Sequence, residues 1–249
     1  MNKILGVKVD DLTITEVREQ VDSWLKTEGQ KKIFTPNPEM IVLARQYPEF
    51  REVLNSGDLN LCDGFGITLV STGRIKRISG SDFIWDLCES AAKNKAKVFL
   101  LGTGNEMVLK KAKQQLNNKI VQLNICGEDA GPEIDLVEGE IRLDEEKNRT
   151  ILEKIDESGA EVLIVAFGQI KQEMWIDKYL SEMAGVKIAI GVGGALDFVS
   201  GQVRRAPKFL RMIGLEWLWR LIKQPWRVQR VFNATVKFIY YYFFKNYES

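Results

Sequence analysis

The 249-residue sequence contains no histidine. The commonest general base and the commonest metal ligand are thereby removed together. Ser-His-Asp triads and three-histidine zinc sites are excluded, and acid–base chemistry falls to Asp, Glu, Lys, Tyr or Cys. Cysteine is scarce. Cys62, Cys88 and Cys126 show no metal-ligand spacing, and an odd number makes no disulfide framework. That usage fits a reducing cytosol. Met1 to Asp11 carries charge and lacks the apolar stretch of a signal peptide. The final aromatic run, Phe238–Phe244, is bounded by Lys237 and Lys245 and falls far short of the ~20 residues of a spanning helix. No internal repeat is present.

What the sequence does contain is ordinary globular material, 45% apolar and 28% charged, enough to bury a full core. The net charge of +1 conceals an asymmetry. Residues 204–249 hold ten Lys/Arg against two acidic residues, +8, which leaves −7 for the rest. The same segment holds 12 of the 24 aromatic residues. Such a shift divides the chain into a body, 1–203, and a C-terminal appendage, 204–249.

In the body, short β-rich apolar runs alternate with segments of helical period. This predicts an α/β, Rossmann-like, mainly parallel sheet covered by helices, with a helical basic and aromatic appendage. Strands are expected at 4–9, 32–34, 59–61, 97–101, 120–125, 161–167 and 187–190. Helices are expected near 38–55, 82–94, 105–117, 145–157 and 171–183, and Thr13 with Glu16 forms a capping box for an earlier one. The acidic stretch 127–140 reads as a solvated loop with at most one short hairpin.

Five polar or glycine-rich turns follow predicted strands: 35–39, 62–66, 102–105, 168–169 and 191–194. Ligands of open α/β sheets bind beyond the carboxyl ends of strands, so these turns should line one edge as a site. Individually they are ambiguous. Gly102-x-Gly104 suits a tight turn as well as phosphate, and its dinucleotide fingerprint is incomplete because Met107 occupies the third glycine position. Asp63 is either a turn or cap aspartate or a general base. Thr35 and Asn37 either cap a helix or make polar contacts fixed by Pro36 and Pro38. Gln172 and Glu173 are either surface residues of a first helical turn or part of the site, and Asp197 is a cap or a contact.

No Asp-x-Asp pair stands at a strand end; Asp10-Asp11 and Glu133-x-Asp135 are poor substitutes. No metal or cofactor is expected, so a nucleotide diphosphate would need protein cations. The appendage has them. Its Trp217, Trp219 and Trp226, its Arg227, Arg230 and Lys237, and an apolar face through Val228, Val231, Phe232, Val236, Ile239 and Phe243 read as an interfacial membrane segment. A core helix pair or homo-oligomer interface is the other use of such a segment. Nucleic acid is disfavoured, because the aromatics cluster at the end instead of interleaving with the cations.

Several of these blocks together resemble the WecG/TagA/CpsF family of bacterial glycosyltransferases. They are Thr35-Pro36-Asn37-Pro38-Glu39, Cys62-Asp63-Gly64-Phe65-Gly66, Arg77 with Gly80-x-Asp82, and Gln172-Glu173-x-Trp175. Further along come Gly191-Val192-Gly193-Gly194-Ala195-Leu196-Asp197, Arg205-Ala206-Pro207, Gly214-Leu215-Glu216-Trp217-Leu218-Trp219-Arg220-Leu221 and Pro225-Trp226-Arg227-x-x-Arg230. They run in order over almost the whole chain. The resemblance implies an inverting, metal-independent transferase at the cytoplasmic face of the bacterial membrane. It would move an N-acetylmannosamine-type sugar from a UDP donor to an undecaprenyl-diphosphate-linked GlcNAc acceptor, for wall teichoic acid or other surface polysaccharide. It also implies Asp63 as base, Thr35, Asn37, Arg77 and Gln172 as site residues, and Arg220, Arg227 and Arg230 as cations brought over the site by the appendage. With Gly102, Gly193 and Asp197 from the turns as further substrate contacts, the expected site is complete. In this sequence Ile170 stands where the family usually has proline, Leu196 replaces a common phenylalanine, and a Gly-Tyr-Phe block is missing from 127–140. A Rossmann oxidoreductase using Gly102-x-Gly104 and a non-catalytic membrane adaptor binding nucleotide sugars are the alternatives.

Overall fold

A computed structural model describes residues 2–212 and 214–244, except for the side chains of Met212, Arg220 and Arg227. In chain order the body comprises β1 (Asn2–Ile4), β2 (Val7–Val9), α1 (Ile14–Trp24), β3 (Lys31–Phe34), α2 (Pro38–Gln46), α3 (Pro48–Asn55), β4 (Leu59–Asn60) and α4 (Phe65–Val70). It continues with α5 (Gly80–Lys93), β5 (Lys97–Gly102), α6 (Glu106–Lys119), β6 (Asn124–Asp129), β7 (Ile134–Val137), β8 (Glu140–Leu143) and α7 (Glu145–Ser158). It ends with β9 (Val162–Ala166), α8 (Lys171–Tyr179), β10 (Ile188–Gly191) and α9 (Ala195–Val199). The appendage holds α10 (Lys208–Met212), α11 (Glu216–Lys223), a 3-10 turn Pro225–Arg227, α12 (Val228–Phe232), a π-helical turn Asn233–Lys237 and α13 (Phe238–Phe244). Residues 245–249 of the predicted appendage lie outside the described residues.

Six strands form one parallel sheet in the order β4-β3-β10-β9-β5-β6. Alternation divides each strand between two cores. Leu163 and Val165 face one layer with Phe34, Trp175 and Ile176, while Val162, Ile164 and Ala166 face the other with Val17, Phe83 and Leu109. All five residues of β9 are buried, the continuous apolar pattern of a strand covered on both faces. Each such Val, Ile or Leu contributes roughly 1.5–3 kcal/mol through burial.

The structure corrects several expected bounds. The stretch 4–9 is an antiparallel pair, β1 and β2, outside the main sheet. Leu5 and Gly6 both take positive φ, 50° and 82°, as a two-residue hairpin turn requires. The helix expected over 38–55 is two, because Pro48 lacks the N–H to continue α2. The edge strand lies at Asn124–Asp129, later than expected, and the acidic stretch ends in the hairpin of β7 and β8. The Thr13–Glu16 capping box is present.

No helix among the described residues is long and apolar enough to cross a membrane. Phe238 is fully buried in the same core as Trp175, and the Tyr242 hydroxyl donates to the Val70 carbonyl at 3.1 Å. One face of the appendage therefore belongs to the body's core. The same helices expose Phe209, Trp217, Ile222, Trp226, Val228 and Phe243.

Candidate active site

The carboxyl ends of the parallel strands place the expected turns on one edge. At the end of β3, the buried Thr35 donates its hydroxyl to the Gly191 carbonyl at 3.2 Å. Asn37 caps α2, its Oδ1 accepting from the Met40 N–H at 3.0 Å, with Pro38 at the first helical position. The Asp63 N–H donates to the Pro36 carbonyl at 3.0 Å, tying the turn after β4 to the turn after β3. Asp63 Oδ2 accepts from the Gly80 N–H at 3.3 Å, at the N-terminus of α5, where the helix dipole favours an anion. It is not the cap of α4, whose N-cap is Gly64.

Gln172 and Glu173 are not surface residues of a first turn: they are 2% and 0% exposed. Gln172 Oε1 accepts from the Gly193 N–H at 2.8 Å, and its Nε2 donates to Glu173 Oε1 at 2.6 Å. Burial lifts the Glu173 carboxyl to about 7, against the hydrogen bond from Gln172 and the nearby backbone of Glu173 and Ile170. Ile170 caps α8 at φ 72° and ψ −59°. Proline, held near −65°, cannot take that conformation, so the turn presenting Gln172 differs here from one built on proline.

Two cavities meet over this edge. A polar one of about 160 Å³ is lined by Thr35, Gly168, Gln172, Gly193 and Asp197, and by Arg204, Trp219 and Lys223 from the appendage. An apolar one of about 330 Å³ is lined by Phe65, Leu69 and Arg77, and by Trp217, Val231 and Phe238. Asn37, Asp63, Ser81 and Arg230 line both. Asp63 therefore stands where the polar and apolar cavities join.

The appendage is held over the site by charge. Arg230 Nε donates to both oxygens of Glu39, at 3.2 and 3.0 Å. Arg77 reaches the Arg211 carbonyl at 3.3 Å and Glu216 Oε2 at 3.2 Å, so this expected substrate contact is engaged in docking. Arg205 makes a fork to Asp82 at 2.5 and 3.1 Å. Burial alone would raise the Asp82 carboxyl, but the hydrogen bond and charge of Arg205, with Arg211 and Arg77, hold it below its ordinary value.

Gly102 has a packing role of its own. It lines neither cavity, and at φ 114° it lies against β9, where a Cβ would be 2.7 Å from the Ala166 carbonyl carbon. Close strand packing accounts for this glycine. Arg220 falls in α11 and Arg227 in the 3-10 turn, but both side chains lie outside the described residues. Sequence reasoning passed over Ser81, Arg204, Trp219 and Lys223. Ser81 occupied the unassigned middle of Gly80-x-Asp82, and Arg204 and Lys223 were counted only within the appendage's general surplus of cations.

A carboxylate and cations facing each other across the carboxyl edge of a parallel sheet equip an α/β enzyme for an anionic ligand. The kind of enzyme follows from the whole chain, since the model of the glycosyl transferase WecG/TagA/CpsF family matches residues 2–249. The chain belongs to that family and is a glycosyltransferase, which sets aside the oxidoreductase and adaptor alternatives.

Proposed function

We propose that the protein is an inverting, metal-independent transferase at the cytoplasmic face of the bacterial membrane. It moves an N-acetylmannosamine-type sugar from UDP to an undecaprenyl-diphosphate-linked GlcNAc, in wall teichoic acid or other surface-polysaccharide synthesis. The observation that carries this reading is the position of Asp63 at the junction of a polar and an apolar cavity. A nucleotide sugar suits the polar cavity, with its Gly193 and Gly194 turn, Arg204 and Lys223. A polyprenyl acceptor suits the apolar one.

In this mechanism Asp63 accepts the proton of the acceptor hydroxyl as its oxygen bonds to the anomeric carbon. The bond from that carbon to the diphosphate breaks, and its electron pair leaves with UDP. Attack from the face opposite UDP inverts the centre. A positioned general base contributes typically 10²–10⁴-fold. Arg230, with Arg220 and Arg227, stabilises the departing diphosphate, and Thr35 holds the base of the cavity through Gly191. In this class of site one donor aimed at developing charge is worth ~2.7–4 kcal/mol. The exposed Trp226, Ile222 and Phe243 beside the appendage's cations support docking on an anionic membrane.

The test is UDP release over a panel of UDP-sugars with a polyprenyl-diphosphate-GlcNAc acceptor. Acceptor-dependent release with UDP-N-acetylmannosamine is expected. Release only with a different donor, or none with this acceptor, overturns the assignment.

A further inference from the structure

We infer that Glu173 is a positioning residue, which fixes the Gln172 amide and, through it, the Gly191–Gly194 turn that receives the donor. The inference rests on the reading of the polar cavity as the donor site. Glu173 touches neither cavity. It lies fully buried against Gln172, which lines the polar one, and its Oε2 makes no hydrogen bond among the described residues. A buried carboxylate is costly to keep, so its retained contacts are informative.

Those contacts form a chain with one orientation. The Gly193 N–H must meet an oxygen, which directs Oε1 of Gln172 towards it. The amide nitrogen then points to Glu173 and requires an acceptor there. An acid or an amide meets that requirement, and an apolar side chain leaves a buried N–H unpaired. Gly191 makes the arrangement possible. A Cβ at this position would lie 2.7 Å from Gln172 Nε2 and 2.9 Å from Glu173 Oε1, so β10 passes directly over the pair. Gly191 in turn accepts the Thr35 hydroxyl. The chain thus joins α8, the end of β10 and the end of β3. It also lies beside the turn at Ile170, whose positive φ is strongly disfavoured for a β-branched residue and is kept only by its surroundings.

The experiment compares Glu173→Met, which fills the space without an acceptor, with Glu173→Gln, which retains one. In the ligand-free full chain, amide hydrogen exchange of residues 191–194 should rise at least tenfold in Glu173→Met and stay within threefold of wild type in Glu173→Gln. Donor KM and UDP Kd should rise about tenfold in the first variant while kcat changes less than threefold, and recover in the second. Gln172→Met cuts the same link one step along. It should raise exchange equally, and the double variant should raise it no further. It also carries the test should Glu173→Met not fold. Unchanged exchange in both methionine variants, or Glu173→Gln falling as far as Glu173→Met, overturns the inference. Because exchange is read without ligand, a wild-type chain that fails to bind UDP defeats the donor assignment without altering this result.

Discussion

Arg230 of the appendage directs its Nε at both carboxylate oxygens of Glu39, a residue 8% exposed in the helix that follows β3. Glu39 lines the apolar cavity and Arg230 lines both, as Asp63 does, so one ionic contact fastens the appendage beside the candidate site. The other N–H donors of the guanidinium fork are those assigned to the departing diphosphate.

Replacing Arg230 should therefore affect chemistry more than folding. Arg230→Ala is expected to lower kcat/KM by about 10²–10³-fold, the usual loss for one donor to developing charge. Arg230→Lys should fall between, since it keeps charge without the fork. Steady-state kinetics on both variants gives the answer, and equal losses would deny the fork a role.

Asp63→Asn should reduce turnover by at least about 10²-fold while leaving UDP affinity within a few-fold, because the amide fills the same space but cannot take a proton. Calorimetric titration of UDP separates the two effects. Near-normal turnover would remove Asp63 as the base.

Docking of the appendage should respond to acid. Asp82 is held below its ordinary value by Arg205, so its contribution is present above the unfolded pKa near 4 and is lost as pH falls through the lower, folded value. Fluorescence of Trp217 and Trp219 should report loosening only below about pH 4. Glu216→Ala, which removes the partner of Arg77, should cause it at neutral pH.

Glu173 has the opposite sign. Its folded pKa, about 7, lies above the unfolded value of 4.5. Its stabilising contribution is complete below pH 4.5 and disappears as pH rises through 7, a loss on the order of 3 kcal/mol. Urea unfolding of wild type and Glu173→Gln at pH 5 and pH 8 should show the variant gaining relative stability at the higher pH. A pH-independent difference would count against a buried, titrating carboxyl.

For the membrane, an Ile222→Ser, Trp226→Ser double variant should bind anionic vesicles at least about tenfold more weakly, since burying each such side chain is worth roughly 1.5–3 kcal/mol. Cosedimentation at two salt concentrations checks it, and added salt should weaken wild-type binding as well.

The strands were legible because a sheet buried on both faces demands runs such as Val162–Ala166, which few other structures tolerate. The edge strand 124–129 was harder to place, since it carries Gly127, Glu128 and Asp129 and meets solvent on one side. The turns at Thr35, Asp63, Gln172 and Gly193 were legible as punctuation at strand ends, and the parallel sheet gathers them on one edge. Gly102 shows the limit of that signal. A glycine needed for strand packing and one needed for a ligand look alike in sequence.

The amino-acid sequence by itself determined the layered α/β class, the absence of histidine chemistry and a cationic, aromatic C-terminal segment, because each depends on composition and local period. Only the tertiary structure decided that Phe238 belongs to the core, that Arg77 and Glu216 fasten the appendage, and that Glu173 lies buried under Gln172. Each of these depends on residues far apart in the chain. Whether a carboxylate faces water or a Gly191 Cα is settled by how β10 crosses α8, which no local pattern encodes.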